Sequence, residues 1–110
     1  MTSTLGSVVL QVSELDRAAA FWSQALGYVA SPHNPAFLAS PDGSGTRLHL
    51  DEDDRTHLDL WTVESSDLET EVTRLVALGA RRAEWTYPED ADFVVLEDTE
   101  GNFFCVIDTS

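Results

Sequence analysis

Two histidines lie eight residues apart, each opening the tripeptide His-Leu-Asp, at His49-Leu50-Asp51 and His57-Leu58-Asp59. Polar and apolar residues alternate through Arg47–Asp51 and through His57–Trp61, as they do in half-buried strands. Each strand would send a histidine and an aspartate to one face. Such a face can bind a divalent ion, line a small-molecule pocket, or be ordinary solvated sheet held by His–Asp hydrogen bonds. His57 oriented by a nearby aspartate could also act as a general base without any metal. The single Cys105 stands between Phe104 and Val106, where a lone cysteine is ordinarily a small buried hydrophobe. His33, in Ser31-Pro32-His33-Asn34-Pro35, reads as solvated loop. No nucleophile elbow, phosphate loop or Cys–His pair at a helix start occurs, and a Ser7–His57 dyad lacks any visible oxyanion hole.

The elements that must position these residues repeat one plan. A strand over 5–12 is followed by a helix over 14–26, with Ser13 as its N-cap, Leu15, Ala19, Trp22 and Leu26 near one face, and Gly27 ending it. Short strands fit 28–30 and 36–39, and the Pro41-Asp42-Gly43 turn precedes a strand over 46–51. The charged run 51–55 reads as a linker. From Thr56 the plan recurs: a strand over 56–63, then Ser66 with Glu69 as a capping box. A helix over 67–78 carries Leu68, Val72, Leu75 and Leu78, and Gly79 closes it. Strands over 81–87, 93–97 and 102–107 complete the second copy. Both helices end in Ala-Leu-Gly. A repeat of about 50 residues points to units that complete one another's core.

Composition narrows the function. The 110 residues suit one domain, and 43% apolar content suits a globular chain. Twenty acidic residues face six basic ones, all arginine, for a net charge of −14. Nucleic acid and anionic membranes are excluded as partners, because phosphate binding needs clustered cations. The charge serves solubility, with attraction of a cationic ligand as the sharper alternative. Without lysine there is no Schiff-base chemistry. No apolar run is long enough to span a membrane or act as a secretory signal, and one cysteine forms no intrachain disulfide; the expected compartment is the cytoplasm.

The stretches VVLQVSELDRAAAFWSQALGY, HLDLWTVESSDLETEVTRLVALGA and FVVLEDTEGNFFCVID, in that order and spacing, resemble the glyoxalase/bleomycin resistance/dioxygenase (vicinal oxygen chelate) superfamily. The small glyoxalase-like domain branch is the most similar, and the resemblance runs from Leu5 to Asp108. It implies an α+β fold of two paired βαβββ modules, here about 5–52 and 56–108, forming a curved mixed-sheet half-barrel around a shared cavity. It also implies a homodimer. Fold alone leaves function open, since the superfamily holds both enzymes and passive binders.

Alternation then assigns faces. Val8, Leu10 and Val12, Leu48 and Leu50, Leu58 and Leu60, and Phe104 and Val106 should pack on the helices. The cavity would be left with Ser7, Val9 and Gln11, with Arg47, His49 and Asp51, with His57, Asp59 and Trp61, and with Phe103, Cys105 and Ile107. That mixture suits a small-molecule pocket. Trp61 is the best stacking residue. Trp22 reads as core, and Trp85 as either pocket or dimer interface.

Metal-dependent members of the superfamily hold one divalent ion with His or Gln, Glu, His and Glu, one from each of four strands. Carried over by position, these fall on Ser7, His49, His57 and Cys105, so both carboxylates and one further donor are absent. The residual metal donors are His49 and His57, and with Cys105 they suit zinc alone. The expected function is therefore metal-independent binding, sequestration or carriage of a small organic molecule, with no cofactor. Some members of the family do this for cationic aromatic drugs in acidic, aromatic-lined dimer crevices. The expected ligand-binding residues are Ser7, Gln11, Arg47, His49, His57, Asp59, Trp61, Phe103 and Cys105. The alternative is a divalent-metal-dependent lyase or isomerase, or a dioxygenase, using His49 and His57.

Overall fold

The computed structural model describes residues 3–63 and 67–109. They fall into two compact units, one of residues 6–56 and the other of residues 3–5 with the described part of 57–109.

The first unit contains most of β1 (Ser3–Gln11), then α1 (Leu15–Leu26), β2 (Val29–Ala30), β3 (Phe37–Ala39) and β4 (Arg47–Asp51). Its strands run in the order β2-β3-β4-β1, with β4 parallel to β1 and the other pairs antiparallel. Leu38 and Leu50 are each 1% exposed and hold the buried side of this sheet. The second unit contains β5 (His57–Thr62), α2 (Leu68–Ala77), β6 (Arg81–Arg82), β7 (Phe93–Glu97) and β8 (Phe103–Ile107), in the order β5-β8-β7-β6. Again the first strand is parallel to the last and the others are antiparallel. Each unit is thus a βαβββ module with a mixed sheet.

The second module shows why the alternation in its strands matters. Val72 of α2 packs with Leu96 of β7 and Val106 of β8, all fully buried, and Leu68, Leu75, Ala80, Val94 and Phe104 close around them. Every strand residue in that cluster has even parity in its strand register, so the odd set must face the other way. The same helix carries Glu71, fully buried, whose Oε1 and Oε2 accept from Arg74 Nε and Nη2 at 2.9 and 2.7 Å. That guanidinium, with a hydrogen bond from Ser3, holds the Glu71 carboxyl below its ordinary range against the opposing effect of burial.

Several sequence expectations shift. Ser13 is not the N-cap of α1: Glu14 occupies that place without a side-chain cap bond, and Glu52 Oε2 from the linker accepts from Leu15 N at 2.8 Å. Ser13 Oγ instead accepts from Arg17 Nη2. The Ser66 capping box lies outside the described residues; Asp67 caps α2, its Oδ1 accepting from Thr70 N at 2.7 Å. Leu26 and Leu78 were expected on the buried faces, yet they are 48% and 68% exposed. Both stand where the chain leaves its helix and turns through Gly27 or Gly79, so the helical spacing no longer aims them at the sheet.

The strand expected over 81–87 pairs only through Arg81–Arg82. Ala83 N still donates to Val95 O, but Val95 N then donates to the Tyr87 hydroxyl at 2.8 Å. A side chain therefore takes the ladder position that a continued strand would have filled.

Candidate functional site

In the second module, His57, Asp59 and Trp61 share one face of β5 because they are two residues apart. The pairing of Leu58 with Phe104, which packs by α2, turns that face away from the helix. The parallel register pairs Asp59 with Cys105 and Trp61 with Ile107. His57 Nε2 lies 3.2 Å from Asp59 Oδ1, and their side chains are only 10% and 13% exposed. One donor atom from each of His57, Asp59 and Cys105 lies within 4.8 Å of the other two. The expected His–Asp pairing is thus realised at His57, with the thiol as its neighbour.

Aromatic side chains flank this polar group. Trp61 and Phe103 are half-buried on the same face. The segment after β6 brings Trp85 to 6.2 Å from Phe103 and Tyr87 to 5.5 Å from Phe93, between ring centroids. Trp85 and Tyr87 stay 50% and 37% exposed, so their rings are only partly covered. Trp85 lies against Phe103, a position compatible with either of its two expected roles, and Tyr87 joins it from the same segment. Glu84-Trp85-Thr86-Tyr87-Pro88 alternates like a strand, and that pattern was the available signal.

The remaining expected residues belong to the first module. Register pairs Ser7 with Arg47, Val9 with His49 and Gln11 with Asp51 across β1 and β4. His49 stacks on Phe37, with ring centroids 4.1 Å apart and 29° between planes. Asp51 Oδ1 accepts from Asp53 N and Asp54 N at 2.8 and 2.9 Å, and so shapes the start of the linker. Gln11 N donates to Thr56 Oγ1 at 3.0 Å at the other end of that linker. Ser7 is 6% exposed.

The four-strand metal pattern of the superfamily does not fit these residues. Its first position is a buried serine, its second a histidine lying against a phenyl ring, and its fourth a thiol. A hard divalent ion would find neither expected carboxylate there.

Two βαβββ modules with the first strand parallel to the last, and a polar group on the sheet face away from the helix, define the fold of the glyoxalase/bleomycin resistance/dioxygenase superfamily. The sequence profile of the family described as "Glyoxalase-like domain" matches residues 7–107, and the chain belongs to that family. Solved structures of the same fold include methylmalonyl-CoA epimerase from Mycobacterium tuberculosis, with TM-score 0.63 and 22% identity over 96% of this chain and 87% of that one. Another is NAD-dependent benzaldehyde dehydrogenase from Legionella pneumophila, with TM-score 0.64 and 14% identity over 94% and 98%. A third is a Streptomyces coelicolor methylmalonyl-CoA epimerase in complex with 2-nitronate-propionyl-CoA, with TM-score 0.60 and 12% identity over 100% and 99%. At these identities the likeness is one of fold. No curated protein matches the sequence. Among the described residues no helix is long and apolar enough to cross a membrane.

Proposed function

We propose that this protein binds a small organic molecule on the sheet face of the second module that carries His57 and Asp59. The observation that carries this reading is the His57–Asp59 pair, nearly buried yet set among Trp61, Phe103 and Trp85. Small-molecule sites have this composition: apolar and aromatic walls supply contact area, and a few placed polar groups fix orientation. The His57 imidazole beside Asp59 offers a polar contact in that setting, and the aromatic rings offer flat faces on which a ligand can stack. Sequestration or carriage needs no more than this. The acidic surface, at −14, further favours ligands without net negative charge.

The test is a ligand-induced melting screen on untagged protein. A compound at one hundred times its Kd should add about 2.7 kcal/mol, which at this chain length raises Tm by about 10 °C. Trp61→Ala and Phe103→Ala should remove the shift for any compound that produces it. Hits that bind both variants as tightly as the parent would place the ligand elsewhere and end this reading.

A second reading, a metal-dependent lyase or isomerase, is supported by the closeness of the His57, Asp59 and Cys105 donors. In that case His57 binds the ion, whereas in the first reading it meets the ligand directly. Turnover of a hit compound that stops on chelation would favour the second.

A further inference from the structure

The geometry points to a zinc site built by the second module alone, from His57, Asp59 and Cys105. It shares the His57 and Cys105 positions with the superfamily's chelate and departs from it in its other donors. That pattern takes one donor from each of four strands, which here are Ser7, His49, His57 and Cys105. The proposed set omits the first module and gains a carboxylate, Asp59, at a position the pattern does not use. The inference adds an ion to the face already described and does not depend on an organic ligand binding there.

Three observations support it. First, the three donor atoms converge, each within 4.8 Å of the others. Two ligands about 2.0 Å from a tetrahedral zinc ion stand about 3.3 Å apart. The 3.2 Å between His57 Nε2 and Asp59 Oδ1 already has that length. Second, the scaffold is rigid where it needs to be. His57 and Asp59 are two residues apart on one strand, and Cys105 is the direct register partner of Asp59 on the parallel neighbour. The β5–β8 ladder therefore holds the backbones of Asp59 and Cys105, and His57 opens the same strand. Third, charge and donor type agree. A neutral imidazole, a carboxylate and a thiolate carry two negative charges, which a divalent ion neutralises in this nearly buried place. The nitrogen, oxygen and sulfur mixture suits zinc and disfavours magnesium or calcium, which take oxygen ligands. Three protein donors leave one position for water or a ligand atom.

The experiment uses the full chain without a histidine tag, stripped with chelator and dialysed against Zn²⁺, then against Co²⁺ as a spectroscopic substitute. The parent should take up one equivalent of zinc and melt at a higher temperature with it. Its cobalt form should show a near-ultraviolet sulfur-to-cobalt charge-transfer band, which requires Cys105 as a ligand. Cys105→Ser should abolish the band, and Cys105→Ser and Asp59→Asn should each weaken zinc at least about tenfold. Both variants keep the size of the side chain, and circular dichroism at the assay temperature confirms that they are folded. His49→Ala should keep the metal and the band. A parent that takes up no zinc, a band that survives in Cys105→Ser, or metal lost in His49→Ala would overturn the proposal. Loss of the organic-ligand shift in Trp61→Ala bears only on the small-molecule reading, so the two failures are separable.

Discussion

Leu96→Ala tests the packing that turns the candidate site outward. Leu96 is 0% exposed and packs with Val72 of α2 and Val106 of β8. Truncation removes three carbons, a loss of about 2.4 kcal/mol at about 0.8 kcal/mol per methylene. The surrounding Leu68, Leu75, Val94 and Phe104 are held by a helix and two paired strands, so the space closes only in part. The cavity term brings the total to about 3–4 kcal/mol. In a chain of this length that lowers Tm by about 12–16 °C. Urea unfolding followed by circular dichroism, with an unchanged m-value, reads the same quantity. Leu78→Ala is the control, since Leu78 is 68% exposed and should cost no more than about 0.5 kcal/mol. A Leu96→Ala cost below about 1 kcal/mol, or one equal to the control, would mean that α2 does not cover this face. The assignment of His57, Asp59 and Cys105 to the opposite face would fall with it.

Other outcomes are equally checkable. The Glu71 carboxyl titrates below its ordinary value in the folded protein, chiefly through Arg74, so its stabilisation is present above the ordinary carboxylate range and is lost as pH falls through the folded value. Glu71→Gln should therefore be less stable than the parent at pH 7, and the gap should close towards pH 3; a gap that stays constant in urea titrations refutes the linkage. Tyr87→Phe removes the hydroxyl that accepts from Val95 N and should cost about 1 kcal/mol, with faster amide exchange at Val95 in particular. Unchanged exchange there would show that the hydroxyl is dispensable. We further expect a homodimer, because β2 is a two-residue edge strand whose Val29 is 51% exposed, beside a helix exposing Phe21 and Leu26 at 61% and 48%. Light scattering at micromolar concentration should give twice the chain mass, and a monomer mass counts against it.

The sequence carried what is periodic. Alternation in Phe103-Phe104-Cys105-Val106-Ile107 assigned the faces of β8, and the spacing of Leu68, Val72 and Leu75 the inner face of α2. Leu58 of β5, expected to pack on the helix, is instead 44% exposed. Glycine after each Ala-Leu placed the helix ends. What failed was local competition among hydrogen-bond partners. A linker glutamate, Glu52, reached Leu15 N from 37 residues away, and the Tyr87 hydroxyl displaced a strand carbonyl from Val95 N. Neither contact has a short-range signature. Likewise, Asp59 could be assigned a face but not a neighbour. Its partnership with Cys105 depends on the parallel register of strands far apart in the chain, which no residue spacing encodes. The histidine repeat suggested two equivalent strands, yet His49 stacks on Phe37 while His57 meets a carboxylate.

Gly79 follows α2 with φ at 122°, and a Cβ built there would stand 3.0 Å from Thr99 Cγ2. Thr99 belongs to the turn between β7 and β8, which Asp98 ties together by accepting from Glu100 N and Asn102 N. A Cβ at the end of the helix would thus crowd the Thr99 methyl at the rim of the hairpin. The glycine acts as a gauge: its thinness sets how near the hairpin sits to the helix, and so where β8 begins. Alanine there would strain the backbone and press on Thr99, in the turn from which β8 starts. The placement of one face of the sheet is thereby tied to the calibre of a residue on the other side.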